Sequence, residues 1–137
     1  MKIDCIELYN VRMPLRYPWR TAYGEDADIH SVLVKIVSDD EYGWAETTPL
    51  QAPCYSPEWA GGVYLLLKHF LAPCVVGQEI EDVESLLEVL SCFKGNPFAK
   101  AGIELAFWIL LAKQQSQPLH KLLGGTATSI AVGADFG

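Results

Sequence analysis

S-V-L-V-K-I-V-S-D-D-E-Y-G-W-A-E-T, Ser31 to Thr47, is the stretch that decides the fold. Its first eight residues are apolar and β-branched at Val32, Val34, Ile36 and Val37, with Leu33 among them, which is the composition of a buried strand. The acids Asp39, Asp40 and Glu41 form a turn that returns the chain into Tyr42 to Thr47, so the segment reads as a β-hairpin. Upstream, Lys2 to Leu15 reads as another strand, with Val11, Met13 and Leu15 alternating with Arg12 and Pro14 as one buried face requires. Pro14 marks an edge or the end of pairing. Arg16 to His30 holds Pro18, Gly24 and three acids without a sustained period, and is expected to be a loop of about fifteen residues.

After Thr48 the period becomes helical. Gln51 to Tyr55 reads as a second irregular loop, and Ser56 before Pro57 as a helix start, with the helix running to about Leu71 and stopping before Pro73. Gly61 and Gly62 inside it point to close packing. Asp82 is placed to cap a second helix whose apolar stripe is Val83, Leu86, Leu87, Leu90 and Phe93, ending near Gly95. A third helix starts at Asn96 and Pro97, carries Ala101, Leu105, Trp108 and Ala112 on one side, and runs to about Gln115. The turn Pro118 to Leu123 is closed by Gly124 and Gly125. Strands followed by helices define an α+β fold, a three-stranded antiparallel meander with a three-helix bundle. Ser129 to Gly137, S-I-A-V-G-A-D-F-G, then opens a new strand pattern of small residues, and further chain is expected after it.

The 137 residues are half apolar, with 10 basic and 17 acidic side chains and a formal charge of −7. That length allows one domain of ordinary size, and the composition supports a packed core. A negative surface does not attract polyanions, which argues against nucleic-acid and anionic-membrane partners, while one locally basic pocket would still admit a small anion. A complete barrel enzyme is excluded, because the barrel alone takes roughly 250 residues. Lys2, Asp4 and Glu7 interrupt what a secretory signal would keep apolar, and no apolar run is long enough for a membrane span. A cytoplasmic protein is therefore expected. Cys5, Cys54, Cys74 and Cys92 lack any C-x-x-C spacing and are expected to be free, mostly buried thiols in a reducing compartment.

Three motifs carry a family resemblance. N-P-F-A-K-A-G-I-E-L-A-F-W-I-L-L-A-K-Q-Q-S-Q-P-L-H-K-L-L-G-G, Asn96 to Gly125, resembles the third capping-domain helix and following turn of the enolase superfamily, in its muconate-lactonizing and mandelate-racemase branch. Y-G-W-A-E-T-T-P, Tyr42 to Pro49, is similar to that family's hairpin strand, and P-W-R-T-A-Y-G, Pro18 to Gly24, to its mobile substrate loop. The likeness is greatest for N-acylamino acid racemases, o-succinylbenzoate synthases and dipeptide epimerases. Ile109 departs from it, since the family commonly has an acid after the tryptophan.

The resemblance implies a capping domain over residues 1–127, with 128–137 as the first strand of a C-terminal (β/α) barrel that the chain otherwise lacks. It implies a Mg²⁺-dependent parent enzyme that removes the α-proton of a small carboxylate substrate, by racemisation, epimerisation or dehydration, with bases and metal ligands on later barrel strands. No catalytic or metal-ligating residue is expected here, so the fragment alone is expected to be inactive. A cap's share is to close the site, exclude water and touch the distal part of the substrate.

Arg20, Thr21 and Tyr23 of the first loop offer a cation, a hydroxyl and an amphipathic ring, with Gly24 as a hinge. They read either as substrate contacts or as ordinary surface chemistry, and Trp19 as a packing anchor. Gln51, Pro53, Cys54 and Tyr55 of the second loop read as distal pocket wall or as a loop packed on its own helix. Asp135 falls near the C-terminal end of the implied barrel strand, where a carboxylate would hold a substrate ammonium group or serve as a hydrogen-bond partner behind the site. Glu46 and Glu104 are lone acids, and His30, His69 and His120 lack ligand spacing. Gly124 and Gly125 lie outside any phosphate-loop pattern. Phe98, Phe107, Trp108 and Leu111 wrap the third helix in more apolar surface than a three-helix cap can cover, so without a barrel dimers or aggregation are expected, and a homo-oligomer is the expected assembly. The competing class is a non-catalytic oligomerising or binding module derived from such a cap.

Overall fold

The most apolar strand takes the centre of the sheet. In the computed structural model, which describes residues 1–134, β1 (Cys5–Thr21), β2 (Gly24–Ser38) and β3 (Glu41–Thr47) form an antiparallel sheet in the order β1-β2-β3. Val32, Val34 and Ile36 of β2 are fully enclosed, and their partners Thr47, Ala45 and Gly43 on β3 share that face. The helices α1 (Ala60–Leu66), α2 (Ala72–Val75), α3 (Val83–Leu90) and α4 (Pro97–Gln114) cover it, and α5 (Leu119–Leu122) follows α4.

The seam between α4 and the sheet is set by small residues. A Cβ at Gly43 would lie 2.0 Å from the Ala106 carbonyl oxygen and 2.6 Å from the Leu110 nitrogen, so only glycine lets the helix come this near. Gly102 answers from the helix side, where a Cβ would sit 3.2 Å from methyl groups of Val34 and Thr47. The face of α4 that meets the sheet is consequently Ala99, Gly102, Ile103, Ala106, Phe107 and Leu110. This corrects the stripe expected from the sequence: Ala101 and Leu105 are exposed and Trp108 is half-buried, with only Ala112 enclosed. On a helix that is apolar almost all round, residue size rather than hydrophobicity selects the buried side.

The segment expected as a fifteen-residue loop is a continuation of the hairpin. β1 and β2 stay paired to Thr21 and Gly24, interrupted where Leu15 to Pro18 on β1 stand opposite Ala27 alone. This bulge takes up Pro18 on the edge strand and breaks the period that would have revealed the pairing. Val11 and Met13 lie on the face turned away from the helices, and Met13 is exposed, whereas Ile6 and Leu8 pack against the core. The expected buried face of β1 was thus the wrong one.

The first helix also differs from expectation. Ser56 bonds Glu58 in a local turn, accepting from its N–H at 3.3 Å and donating to its carbonyl at 3.0 Å, and regular helix begins only at Ala60. It continues through a π-helical segment, Leu67–Leu71, and past Pro73 to Val75. Pro73 is tolerated because it falls in the first turn of the resumed α-helix, where the missing N–H costs least. Asp82 caps α3 as read, accepting from the Ser85 N–H at 2.8 Å and its hydroxyl at 2.6 Å, bonds that hold its carboxyl below the ordinary range. That helix ends at Leu90, before Gly95, and Leu87 stays exposed.

The cysteines are free, but Cys5, Cys54 and Cys92 are exposed and Cys74 half-buried, contrary to the expected burial. Cys5 shares the outward face of β1 with Tyr9, so strand register overrides the thiol's apolar tendency. The strand read over Ser129 to Gly137 has no ladder partner among the described residues, since 129–134 carry no regular secondary structure and are exposed. Asp135 lies outside the described residues.

Candidate functional site

Where the β1–β2 arm ends, its tip meets the segment that joins β3 to α1. Thr21 and Gly24 close the arm around Ala22 and Tyr23, with Gly24 at φ +141°. Thr21 Oγ1 accepts from the Tyr23 N–H at 3.2 Å and donates to the Gly24 carbonyl at 3.3 Å, fixing the turn that aims Tyr23. Tyr23 meets Tyr55 edge to face, ring centroids 5.5 Å apart at 68°, and so joins tip to segment. Beneath this contact lies a cavity of about 510 Å³. The arm contributes Trp19, Thr21, Tyr23 and Ile29 to its wall, and the segment contributes Thr48, Pro49, Leu50, Tyr55 and Ser56. Phe98, at the start of α4, completes it.

Glu58 holds the two sides of this arrangement in register. Asn96 precedes α4 in the left-handed region, φ +56°, and gives it no side-chain cap. The free N–H groups of Phe98 and Ala99 donate instead to Glu58 Oε1 at 2.9 Å and Oε2 at 3.1 Å, and Glu58 as a residue is 8% exposed. A buried carboxylate at a helix N-terminus satisfies two donors and the helix dipole together. It also anchors the segment carrying Tyr55 to the helix carrying Phe98. Thr47 adds a second tie, donating to the Phe98 carbonyl at 2.9 Å.

Arg12 and Arg20 are paired along the arm, and among the described residues no charged side chain lines the cavity. Arg12 bonds Asp28 at 2.6 Å, a contact that holds the Asp28 carboxyl below its ordinary range, and Arg20 bonds Glu25 at 2.7 Å across the tip. Of the residues singled out from sequence, Thr21, Tyr23 and Tyr55 are brought together on the cavity. Arg20 stands beside it, turned to Glu25. Trp19, expected as a packing anchor, is instead half-exposed in the cavity wall. Gln51 and Cys54 line a neighbouring depression of about 190 Å³ with Glu25 and Asp26, and Pro53 is exposed. Glu58 and Ile29 were not singled out, and Phe98 was read only as apolar surface of the third helix. A glutamate forty residues upstream of the helix that it caps leaves no local signal. Among the described residues, no three His, Cys, Asp or Glu side chains gather as a metal site would need, so these residues do not themselves form one.

A three-stranded meander with helices on one face, and an aromatic cavity built by its arm and a loop, defines an α+β domain. The chain belongs to the mandelate racemase / muconate lactonizing enzyme family, whose N-terminal domain it matches over residues 5–124. It is 33% identical to the N-succinylamino acid racemase of Thermus thermophilus over 137 residues, all of this chain and 37% of that protein. It is 31% identical to the o-succinylbenzoate synthase of Listeria innocua over 131 residues, 95% of this chain and 35% of that one. A solved enolase-superfamily structure from Listeria innocua superposes with a TM-score of 0.91 at 30% identity, over 97% of this chain and 36% of its own. The chain thus spans little more than a third of the length of these relatives.

Proposed function

We propose that this chain is the capping, specificity-determining domain of a Mg²⁺-dependent enzyme that abstracts the α-proton of a small carboxylate substrate, of the racemase, epimerase or o-succinylbenzoate synthase type. Residues 1–127 form the cap, and 128–137 begin a C-terminal barrel that supplies the bases and the metal ligands. The cavity between the arm tip and the Thr48–Ser56 segment is the observation that carries this reading. It gives the domain a place for the distal part of a substrate, and the named activities of relatives matched over nearly the whole chain supply the chemistry.

In this division of labour Thr21, Tyr23 and Tyr55 shape the distal pocket, and Arg20 with Glu25 stiffens the tip that closes it. Asp135 is assigned a substrate-binding role on the family resemblance alone. Bound Mg²⁺ stabilises the negative charge that develops on the substrate carboxylate as the proton leaves. The cap's contribution is to exclude water, which strengthens that stabilisation. Without the barrel, the apolar surface left on α4 promotes association of the isolated chain.

Proton exchange tests the reading. Joined to its barrel, the protein is expected to exchange the α-proton of an N-succinyl amino acid for deuterium in D₂O, followed by NMR, and to lose the activity with EDTA. The 137-residue chain alone with Mg²⁺ is expected to be silent. Metal-dependent exchange by the isolated chain would overturn the assignment of catalysis to the barrel.

A further inference from the structure

The structure assigns to the cavity at the arm tip the uncharged, apolar end of a substrate. This deepens the function proposed above, on which it rests for the cavity being a binding site. Among the described residues, no Asp, Glu, Lys, Arg or His lines the wall. The cation nearest in sequence to Thr21, Arg20, is neutralised by Glu25 at 2.7 Å. The wall does contain three aliphatic hydroxyls, but each already donates within the protein. Thr21 Oγ1 donates to the Gly24 carbonyl at 3.3 Å, Thr48 Oγ1 to Glu46 Oε1 at 3.2 Å, and Ser56 Oγ to the Glu58 carbonyl at 3.0 Å. These hydroxyls are therefore committed to the turn, the strand end and the loop that build the wall.

What remains is mainly ring and alkyl surface from Trp19, Tyr23, Ile29, Leu50, Tyr55 and Phe98, whose only polar side-chain atoms are the neutral Trp19 indole N–H and the Tyr23 and Tyr55 phenol hydroxyls. An ionic group entering this space gives up water and meets neither a counter-charge nor an uncommitted aliphatic hydroxyl. A phenyl or branched alkyl group gives up nothing and covers apolar wall. Glu25 and Asp26 border the adjoining depression and turn an anion away further. The substrate class that follows is a carboxylate whose far end is neutral and hydrophobic, such as an aromatic or branched aliphatic side chain. A cavity of about 510 Å³ has room for either.

Three probes that share one ring separate charge from size: benzyl alcohol, benzylammonium and phenylacetate. Each is titrated into the ¹⁵N-labelled chain at pH 7 in about 0.15 M salt, which screens the field of the net negative charge beyond roughly 8 Å. The Trp19 indole and the backbone signals of Thr21, Tyr23 and Tyr55 are followed. Benzyl alcohol is expected to move these signals with a Kd about tenfold or more below that of either charged probe. If benzylammonium or phenylacetate moves the same signals with an equal or lower Kd, the substrate class is overturned while the cavity stands as a site. If none of the three moves them up to its solubility, the binding role of the cavity and the substrate class fall together.

Discussion

The seam between α4 and β3 and the tip of the β1–β2 arm are built in opposite ways. At the seam, Gly43, Ala45, Gly102 and Ala106 remove side chains so that backbone approaches backbone, and everything there is enclosed. At the tip, Trp19, Tyr23 and Tyr55 put large rings where each remains more than half exposed, held by an edge-on contact and a few hydrogen bonds. Close-packed interiors have no slack, so a seam substitution is a folding event. Exposed rings on a fixed scaffold can change without unfolding it, so a tip substitution is a binding event. The fold thus separates the residues that keep the domain together from those free to decide what it holds.

Gly43→Ala puts the largest strain on this contrast. Its new methyl group would meet a helix carbonyl and a helix nitrogen, neither of which can turn aside, so α4 itself must move. A loss of about 3 kcal/mol is expected in urea denaturation. Gly24→Ala is the matched control at the tip: its Cβ meets nothing within 4 Å, and only the backbone at φ +141° resists. There about 1 kcal/mol is expected. Equal losses at the two glycines would show that spatial crowding does not distinguish seam from tip.

Glu58 belongs to both regions, and its removal should fall between these limits. Glu58→Ala leaves the Phe98 and Ala99 N–H groups without their acceptors at the buried start of α4. Their desolvation makes about 2 kcal/mol the expected cost, with Glu58→Gln losing less because one carbonyl oxygen remains. Amide hydrogen exchange at Phe98 and Ala99 is the sharper readout, since both should lose protection in Glu58→Ala before the rest of α4 does. Unchanged protection there would remove Glu58 as the tie between cavity wall and helix.

How much of this was legible in the sequence follows the same division. The hairpin from Ser31 to Thr47 and the Asp82 cap were readable because strand period and N-cap chemistry act between near neighbours. The α+β order followed from them, the family motif from Pro18 to Gly24 marked Thr21 and Tyr23, and the irregular second loop marked Tyr55. The arm was read as a loop because the bulge from Leu15 to Pro18 destroys alternation, and because neither face of that stretch is buried enough to impose it. The face of α4 was misjudged because its selection depends on Gly43, a partner in another strand. Glu58 and Trp19 were missed as members of the site for the same reason. Their roles exist only once the segment and the arm have been brought together in space.

The smallest effect on stability, and the most informative for the tip, is expected from Tyr55→Leu. The ring of Tyr55 is 67% exposed and makes one aromatic contact, with Tyr23. An edge-on pair so open to water is worth about 0.5 kcal/mol, and leucine keeps part of the apolar cover, so the urea midpoint should hardly move. The cavity, however, loses the contact by which the segment reaches the arm. Benzyl alcohol should then bind several-fold more weakly while the amide spectrum of α4 and β3 stays in place. A variant that lost as much stability as Glu58→Ala would make Tyr55 a structural residue, and the tip would then be a second core rather than a surface free to choose its ligand.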